Sequence, residues 1–311
     1  MKANEVGRKI IKVVNSAVNL AVLTVIILLI TYAGYALWDS NQIHNAADKS
    51  HYAIYKPTVE NQGKSFKELQ ALNPDVFAWL SVYGTNIDYP VTQGPNNMKY
   101  VNTNAQGLYS LSGSIFLDYQ NSKNFSDFNS ILYGHHMEKR TMFGEIGRFA
   151  DRNTFNAYQY GSLYFNEQEH GIEFFAFIHA NAYDKAVFTP DIQEDRRQIY
   201  LDGLLANAMY KRDISVTAED HIVLFTTCSI SSTNGRDILI GRITDEVYQN
   251  PFLNSETSGT GPDSQKGLVR QIPPINFILI ILPAVLVFVI YDRRKHRKGA
   301  ENDEQDKQDK T

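Results

Sequence analysis

The chain has 311 residues, a formal net charge of −4 at pH 7 and a single cysteine. It lacks the positive field with which nucleic-acid-binding proteins collect phosphates, so no nucleic-acid partner is expected. One cysteine cannot form an intramolecular disulfide, and its thiol is either an inert core group or chemically employed. Two apolar segments near the chain ends leave room for one folded domain between them.

The first apolar segment covers residues 18–38 and contains no charged side chain. Because ~20 apolar residues cross a bilayer, it predicts a transmembrane helix. Residues 1–17 carry positive charge and Asp39 follows the segment, so residues 1–17 are predicted to be cytoplasmic and the chain from residue 39 extracytoplasmic. A cleaved signal peptide is the alternative, but the segment exceeds the usual ~7–15-residue signal core and no small-residue cleavage site follows it.

The middle of the chain contains two segments with helical periodicity and a larger number with strand character. Residues 65–80 repeat apolar side chains at helical spacing, and so do residues 201–209. Strand-like segments begin at Asn86, Gly113, Ser130, Ser162, Gly171, His221 and Arg236. Seven to eight short strands with few helices predict a mainly β fold, a closed or nearly closed barrel with peripheral helices.

The C-terminal part predicts a second anchor. Residues 253–274 have the Gly, Ser and polar composition of a flexible linker, and residues 275–291 form a second apolar segment at the short end of the spanning range. Basic residues follow directly, so residues 292–311 are predicted to be a cytoplasmic tail. The folded domain is therefore expected over residues 39–252, outside the membrane, flanked by N- and C-terminal transmembrane helices.

Cys228 ends the apolar run that precedes it, which is typical of a buried strand that delivers its last residue to the rim of a sheet. A rim is a suitable place for a rigidly held nucleophile. Free cysteines are also among the most buried residue types, so a core thiol is the competing interpretation. The polar loop 229–235 follows directly and favours the exposed rim.

His135 also follows a short apolar strand, where an imidazole can reach a neighbouring thiol. Cysteine acyl chemistry needs such a partner, because a thiol of pKa ~8.5 is mostly protonated at neutral pH. His136 stands beside it, but adjacent strand residues point to opposite faces and no further ligand stands at metal-binding spacing, so no metal site is predicted. His179 and His221 are interpreted as hydrogen-bonded histidines near the barrel surface.

Arg236 opens the strand that follows the polar loop. The order strand, cysteine, loop, arginine, strand predicts a hairpin that brings Cys228 and Arg236 to one end. A guanidinium there can stabilise the negative charge that develops in a tetrahedral intermediate. Taken alone, Arg236 would be interpreted as an ordinary arginine on a solvated edge strand. Arg242 lies six residues later on the same predicted face and is the weaker candidate.

Together these segments resemble the catalytic signature of the class B sortases. The matching motifs are Tyr133–Met137, Thr141–Gly144, Leu224–Cys228 and Gly235–Arg236, and the similarity extends over residues 66–245. The resemblance implies an eight-stranded sortase barrel. It also implies that Cys228 is the nucleophile, His135 the catalytic histidine and Arg236 the catalytic arginine, and that Asn97, Val101 and Thr226 line the groove for the sorting signal.

The resemblance further implies the reaction and the partners. A C-terminal sorting signal of a surface or pilin protein is cleaved, its acyl fragment is held as a thioester on Cys228, and an amine accepts it without a cofactor. The predicted second membrane segment favours a pilin lysine as acceptor, and anchoring to a cell-wall precursor is the alternative. A cysteine peptidase and a membrane-anchored adhesin with an inert cysteine are the other hypotheses.

Overall fold

The structure is a computed structural model that describes residues 2–58, 63–190, 192–230 and 233–253. The second predicted membrane segment, the cytoplasmic tail and almost all of the predicted linker lie outside these ranges. The chain divides into an N-terminal unit, described over residues 2–41, and a second unit that begins at residue 42.

The described residues of the N-terminal unit belong to one continuous helix, α1, Lys2–Ala46, whose last residues are part of the second unit. Within the described ranges it is the one helix that is long and apolar enough to cross a membrane, and no part of its apolar window is buried inside the protein. Side chains such as Leu28 and Leu29 remain more than half exposed, which suits a lipid environment. The helix supports the predicted N-terminal anchor, and its inside-to-outside orientation stays a prediction.

The second unit is mainly β. Its described strands are β1 Val76–Val82, β2 Asp88–Thr92, β3 Ile115–Leu117, β4 Asn129–Tyr133, β5 Tyr160–Phe165, β6 Gln168–Asn181, β7 Ala208–Lys211, β8 His221–Cys228 and β9 Gly235–Thr244. Three short helices accompany them: α2 Lys64–Leu72, α3 Arg152–Ala157 and α4 Arg197–Ala206.

Eight of these strands close into a barrel. Their order is β5-β1-β2-β3-β4-β8-β9-β6, and β5 pairs with β6 to complete the ring. Most neighbours are antiparallel, but β2 pairs with β3 and β4 pairs with β8 in parallel. Strand β7 pairs with β6 alone and lies outside the ring. The predicted mainly β fold with an eight-stranded barrel is confirmed.

Both predicted helices end earlier than their apolar periodicity suggested. Helix α2 stops at Leu72, because Pro74 disfavours helical geometry at Asn73, whose backbone is extended. The chain then enters β1, where hydrogen bonds to two neighbouring strands replace those of a helix. The prediction of a helix through residue 80 was therefore wrong.

The second helix, α4, ends at Ala206 rather than at residue 209. Residues 208 and 209 belong instead to β7, which adds to the edge of β6. Pairing with an existing strand satisfies their backbone groups, so tertiary context overrides the helical spacing of the side chains.

The core has two layers that share strand β8. Val223 and Phe225 belong to the cluster inside the barrel, to which all eight ring strands contribute. Ile222 and Leu224 belong to a second cluster outside the barrel, which α4 covers with Leu201 and Leu204. Because both faces of β8 are buried, its sequence is almost continuously apolar rather than alternating.

Phe225→Ala tests this packing. The Phe225 ring is fully buried and lies edge-on to Phe143 and Phe174, with centroid distances of 6.2 and 5.6 Å. Its truncation should cost ~3–5 kcal/mol and lower the melting temperature by about 6–20 °C. Ile199→Ala, at a site 74% exposed, is the control and should change little. Similar melting temperatures for the two variants would contradict the described core.

Candidate active site

Three neighbouring strands bring the predicted catalytic residues to one edge of the barrel. In the parallel pair β4–β8, Tyr133 lies opposite Thr226. His135 is two residues beyond Tyr133, and Cys228 is two residues beyond Thr226, so both continue the same register at the ends of adjacent strands. Strand β9 returns on the other side of β8.

The hairpin of β8 and β9 places the thiol directly opposite the arginine. Cys228 and Arg236 are register partners in this antiparallel pair, and Ser229 N donates to Gly235 O at 2.9 Å just beyond them. Cys228 is exposed, and His135 and Arg236 are partly exposed. The predicted rim position of Cys228 is therefore observed, and the core-thiol interpretation was wrong.

The imidazole of His135 is fixed by a backbone carbonyl. Its Nε2 lies 2.8 Å from the oxygen of Val101, at the end of the short 3-10 turn Lys99–Val101. A carbonyl oxygen can only accept, so Nε2 carries the proton and donates. Nδ1 is then the ring nitrogen that can take up a proton, as a general base must.

Comparisons with known proteins agree on one family, although no family model matches the chain. A solved sortase B from the type II pilus of Streptococcus pneumoniae is 47% identical, with a TM-score of 0.52, and the match covers 58% of this chain and 99% of that one. A Streptococcus pyogenes class B sortase involved in pilus biogenesis is 41% identical, with a TM-score of 0.54 and coverages of 58% and 99%. Among curated proteins, sortase B of Listeria monocytogenes is 27% identical over 217 residues, 68% of this chain and 88% of that relative.

The chain belongs to the class B sortases. Sortases of this class are cysteine transpeptidases, and this sortase has a single cysteine, which the structure places at an exposed strand end. The hypothesis of an adhesin with an inert core cysteine is set aside.

The two arginines of β9 have different surroundings in this sortase. Arg242 Nη2 donates to Glu173 at 2.8 Å, and its Nη1 lies 3.7 Å from Asp220. Within the described residues Arg236 forms no ion pair, and its Nη1 donates to the carbonyl of Gly235. A guanidinium without a carboxylate partner keeps its charge available for a developing oxyanion, whereas that of Arg242 is already compensated.

The three predicted groove residues fall into different environments. Asn97 is partly buried, and its Nδ2 donates to Asp118 at 2.7 Å. Val101 is partly buried and contributes the carbonyl that holds His135. Thr226 is 1% exposed, and its hydroxyl has no hydrogen-bond partner among the described atoms. The first two lie at the periphery of the site, and Thr226 lies beneath it.

Sequence analysis did not single out Asp118 as a site residue. This buried carboxylate accepts from Asn97 and, at 3.1 Å, from the Tyr133 hydroxyl. Burial and the Asp118 carboxylate raise the pKa of the Tyr133 phenol, and the charge of Arg236 opposes them. The signal available in the sequence was a charged residue directly after an apolar strand. The hydrogen-bond partners of Asp118 could not be identified in this way, because they lie on distant segments of the chain.

Proposed function

We propose that this sortase cleaves the C-terminal sorting signal of a surface protein with Cys228 as nucleophile, His135 as proton-transfer residue and Arg236 as stabiliser of the oxyanion. The supporting observation is the alignment of these side chains at the ends of β4, β8 and β9. The exposed fraction of each leaves room for a peptide at the barrel edge.

The reaction follows from the position of each group. The sulfur of Cys228 attacks the scissile carbonyl carbon, and Nδ1 of His135 accepts the thiol proton. Negative charge develops on the carbonyl oxygen, where the Arg236 guanidinium can donate hydrogen bonds. His135 then protonates the departing amine as the C–N bond breaks and a thioester remains. An acceptor amine attacks the thioester carbon, His135 takes up the acceptor's proton, and the thiolate of Cys228 leaves and is reprotonated.

Cys228→Ala and His135→Ala test the first two roles. Cys228→Ala should form no acyl adduct, and His135→Ala should lose at least ~100-fold in transfer rate, because general acid–base catalysis contributes that much or more. Both side chains lie at a rim, so melting temperatures should stay within about 2 °C of the wild type. Intact mass after incubation with sorting-signal peptides measures the adduct. Near-normal turnover by either variant would refute that residue's role.

Arg236→Lys and Arg242→Lys form a matched pair on one strand. Lysine keeps the charge but loses the planar fork, so Arg236→Lys should lower kcat by ~100-fold, the usual effect of losing an oxyanion donor. Arg242→Lys should stay close to wild type, since Glu173 can pair with either cation. A larger loss from Arg242→Lys would transfer the stabilising role to that residue.

We further propose that the acceptor is a lysine amine of a pilin subunit, so that the enzyme polymerises pilin. Two relatives, 47% and 41% identical, are described as belonging to a pilus and as acting in pilus biogenesis. The sequence adds the predicted second membrane segment at residues 275–291, which would hold the domain at the membrane where subunits with uncleaved tails are found. Attachment of one protein to a cell-wall precursor is the competing outcome.

Deletion of the gene separates the two acceptors. If the acceptor is a pilin lysine, cell-wall extracts of the deletion strain should lack the high-molecular-mass ladder of polymerised pilin and should retain the pilin monomer. Complementation with the wild-type gene should restore the ladder, and complementation with Cys228→Ala should not. An unchanged ladder together with release of one surface protein into the medium would establish anchoring instead.

A further inference from the structure

A second polar layer lies directly behind the proposed catalytic one. Each catalytic residue is followed by a polar residue on the opposite side of the sheet: His136 after His135, Ser229 after Cys228 and Asp237 after Arg236. Asp237 and Ser229 are 4% and 9% exposed. The catalytic layer faces outward, and this second layer faces the barrel interior at the same edge.

His179 connects this layer across three strands. It is the register partner of Asp237 in the pair β6–β9, and its Nδ1 donates to Asp237 Oδ1 at 2.6 Å. Its Nε2 lies 3.2 Å from the hydroxyl of Ser229, the first residue after β8. One imidazole therefore joins β6, β9 and the residue that follows the nucleophile.

The Asp237 carboxylate of this network is buried. Burial raises the pKa of the Asp237 carboxyl, while His179, Ser229 and His136 act in the opposite direction. A β-carbon at Gly147 would lie 2.8 Å from Asp237 Oδ2, so the 3-10 turn Ile146–Ala150 packs closely against the carboxylate at this glycine. A buried carboxylate of this kind is stabilised by its hydrogen-bond partners. Its removal would therefore also affect the chain segments that those partners position.

The order Ser229, His179, Asp237 resembles a hydrolytic triad, but the placement is unsuitable for a second nucleophile. Ser229 is buried and faces inward, where a substrate carbonyl cannot reach its hydroxyl. What the hydroxyl does reach is the imidazole of His179, so this contact ties the residue directly after Cys228 to β6. The backbone bond from Ser229 N to Gly235 O, at 2.9 Å, holds the same residue to β9.

We propose that Ser229, His179 and Asp237 are positioning residues that hold the end of β8 against β9 and so keep the Cys228 thiol opposite the Arg236 guanidinium. The inference rests on the proposed roles of Cys228 and Arg236. A guanidinium beside a thiol favours the thiolate, which is the form that reacts with an alkylating agent. Loss of the network should weaken this effect without removing either catalytic side chain.

The test measures alkylation of the full-length chain by iodoacetamide from weakly acidic to weakly alkaline pH. Cys228 is the only cysteine, so the mass adduct reports on it alone. Ser229→Ala and His179→Ala should slow alkylation at neutral pH by roughly 10-fold, and their pH profiles should move to that of Arg236→Ala, which lacks the charge itself. Ser229→Thr keeps the hydroxyl and should show the same pH dependence of Cys228 alkylation as the wild type.

Two further variants make the test specific. Alkylation of the double variant, which combines Ser229→Ala with His179→Ala, should be no slower than that of either single variant, because both substitutions break the same network. His221→Ala is the control: it removes a histidine with one hydrogen bond, to the Asp127 carbonyl, at the far end of β8, and should leave the profile unchanged.

Wild-type profiles for Ser229→Ala and His179→Ala, with only their melting temperatures lowered, would reduce the network to a structural role and overturn the proposal. A wild-type profile for Arg236→Ala would overturn it as well, since the guanidinium would then not act on the thiol. No sorting-signal peptide enters this experiment, so failure of the proposed transfer reaction would show separately, as absence of the acyl adduct.

Discussion

The register of β8 is the constraint on which the active site depends. This strand pairs in parallel with β4 and antiparallel with β9, and both of its faces are buried. A slip by one residue would exchange the inward and outward sets, moving Cys228 inside and Thr227 to the rim. Burial of Phe225 on one face and Leu224 on the other makes such a slip costly. The apolar core therefore determines which side chain becomes the exposed thiol.

Strand periodicity also explains how one edge of the barrel can present two different sets of polar side chains, one facing outward and one facing inward. Outward positions place an exposed thiol, an imidazole and a guanidinium where a peptide can approach. Inward positions place the Asp237 carboxylate and the Ser229 hydroxyl where water is largely excluded, and the solvent-accessible imidazole of His179 joins them. The two buried groups require hydrogen-bond partners, and this requirement restricts the geometry of the neighbouring outward residues. Exposure for reaction and rigidity for positioning are thus supplied by alternate residues of the same strands.

The sequence predicted a barrel of short strands and the rim position of Cys228 because both depend on local patterns, whereas the number of eight strands came from the resemblance to the class B sortases. Apolar strands that end in Cys228 or are followed closely by His135 place those residues at a rim, and the short polar loop predicts the return to Arg236. The helix ends were wrong because apolar spacing continues through Pro74 into β1 and through Asn207 into β7, where strand pairing decides. His179 was interpreted as a surface histidine with a hydrogen bond. Its partners could not be identified, because they lie on strands whose register only the folded barrel supplies.

The same register links the proposed groove to the proposed catalytic arginine. Asn97 and Tyr133 donate to one carboxylate, that of Asp118, and Tyr133 is close enough to Arg236 for the guanidinium charge to act on its phenol. The proposed groove residue Asn97 and Tyr133, whose phenol is influenced by the charge of Arg236, therefore share the Asp118 carboxylate. A change at Asn97 that leaves Asp118 with one donor fewer alters the electrostatic surroundings of Tyr133 and, through it, of Arg236. In the proposed reaction, binding of the sorting signal and stabilisation of the oxyanion would therefore be linked through Asp118 and Tyr133.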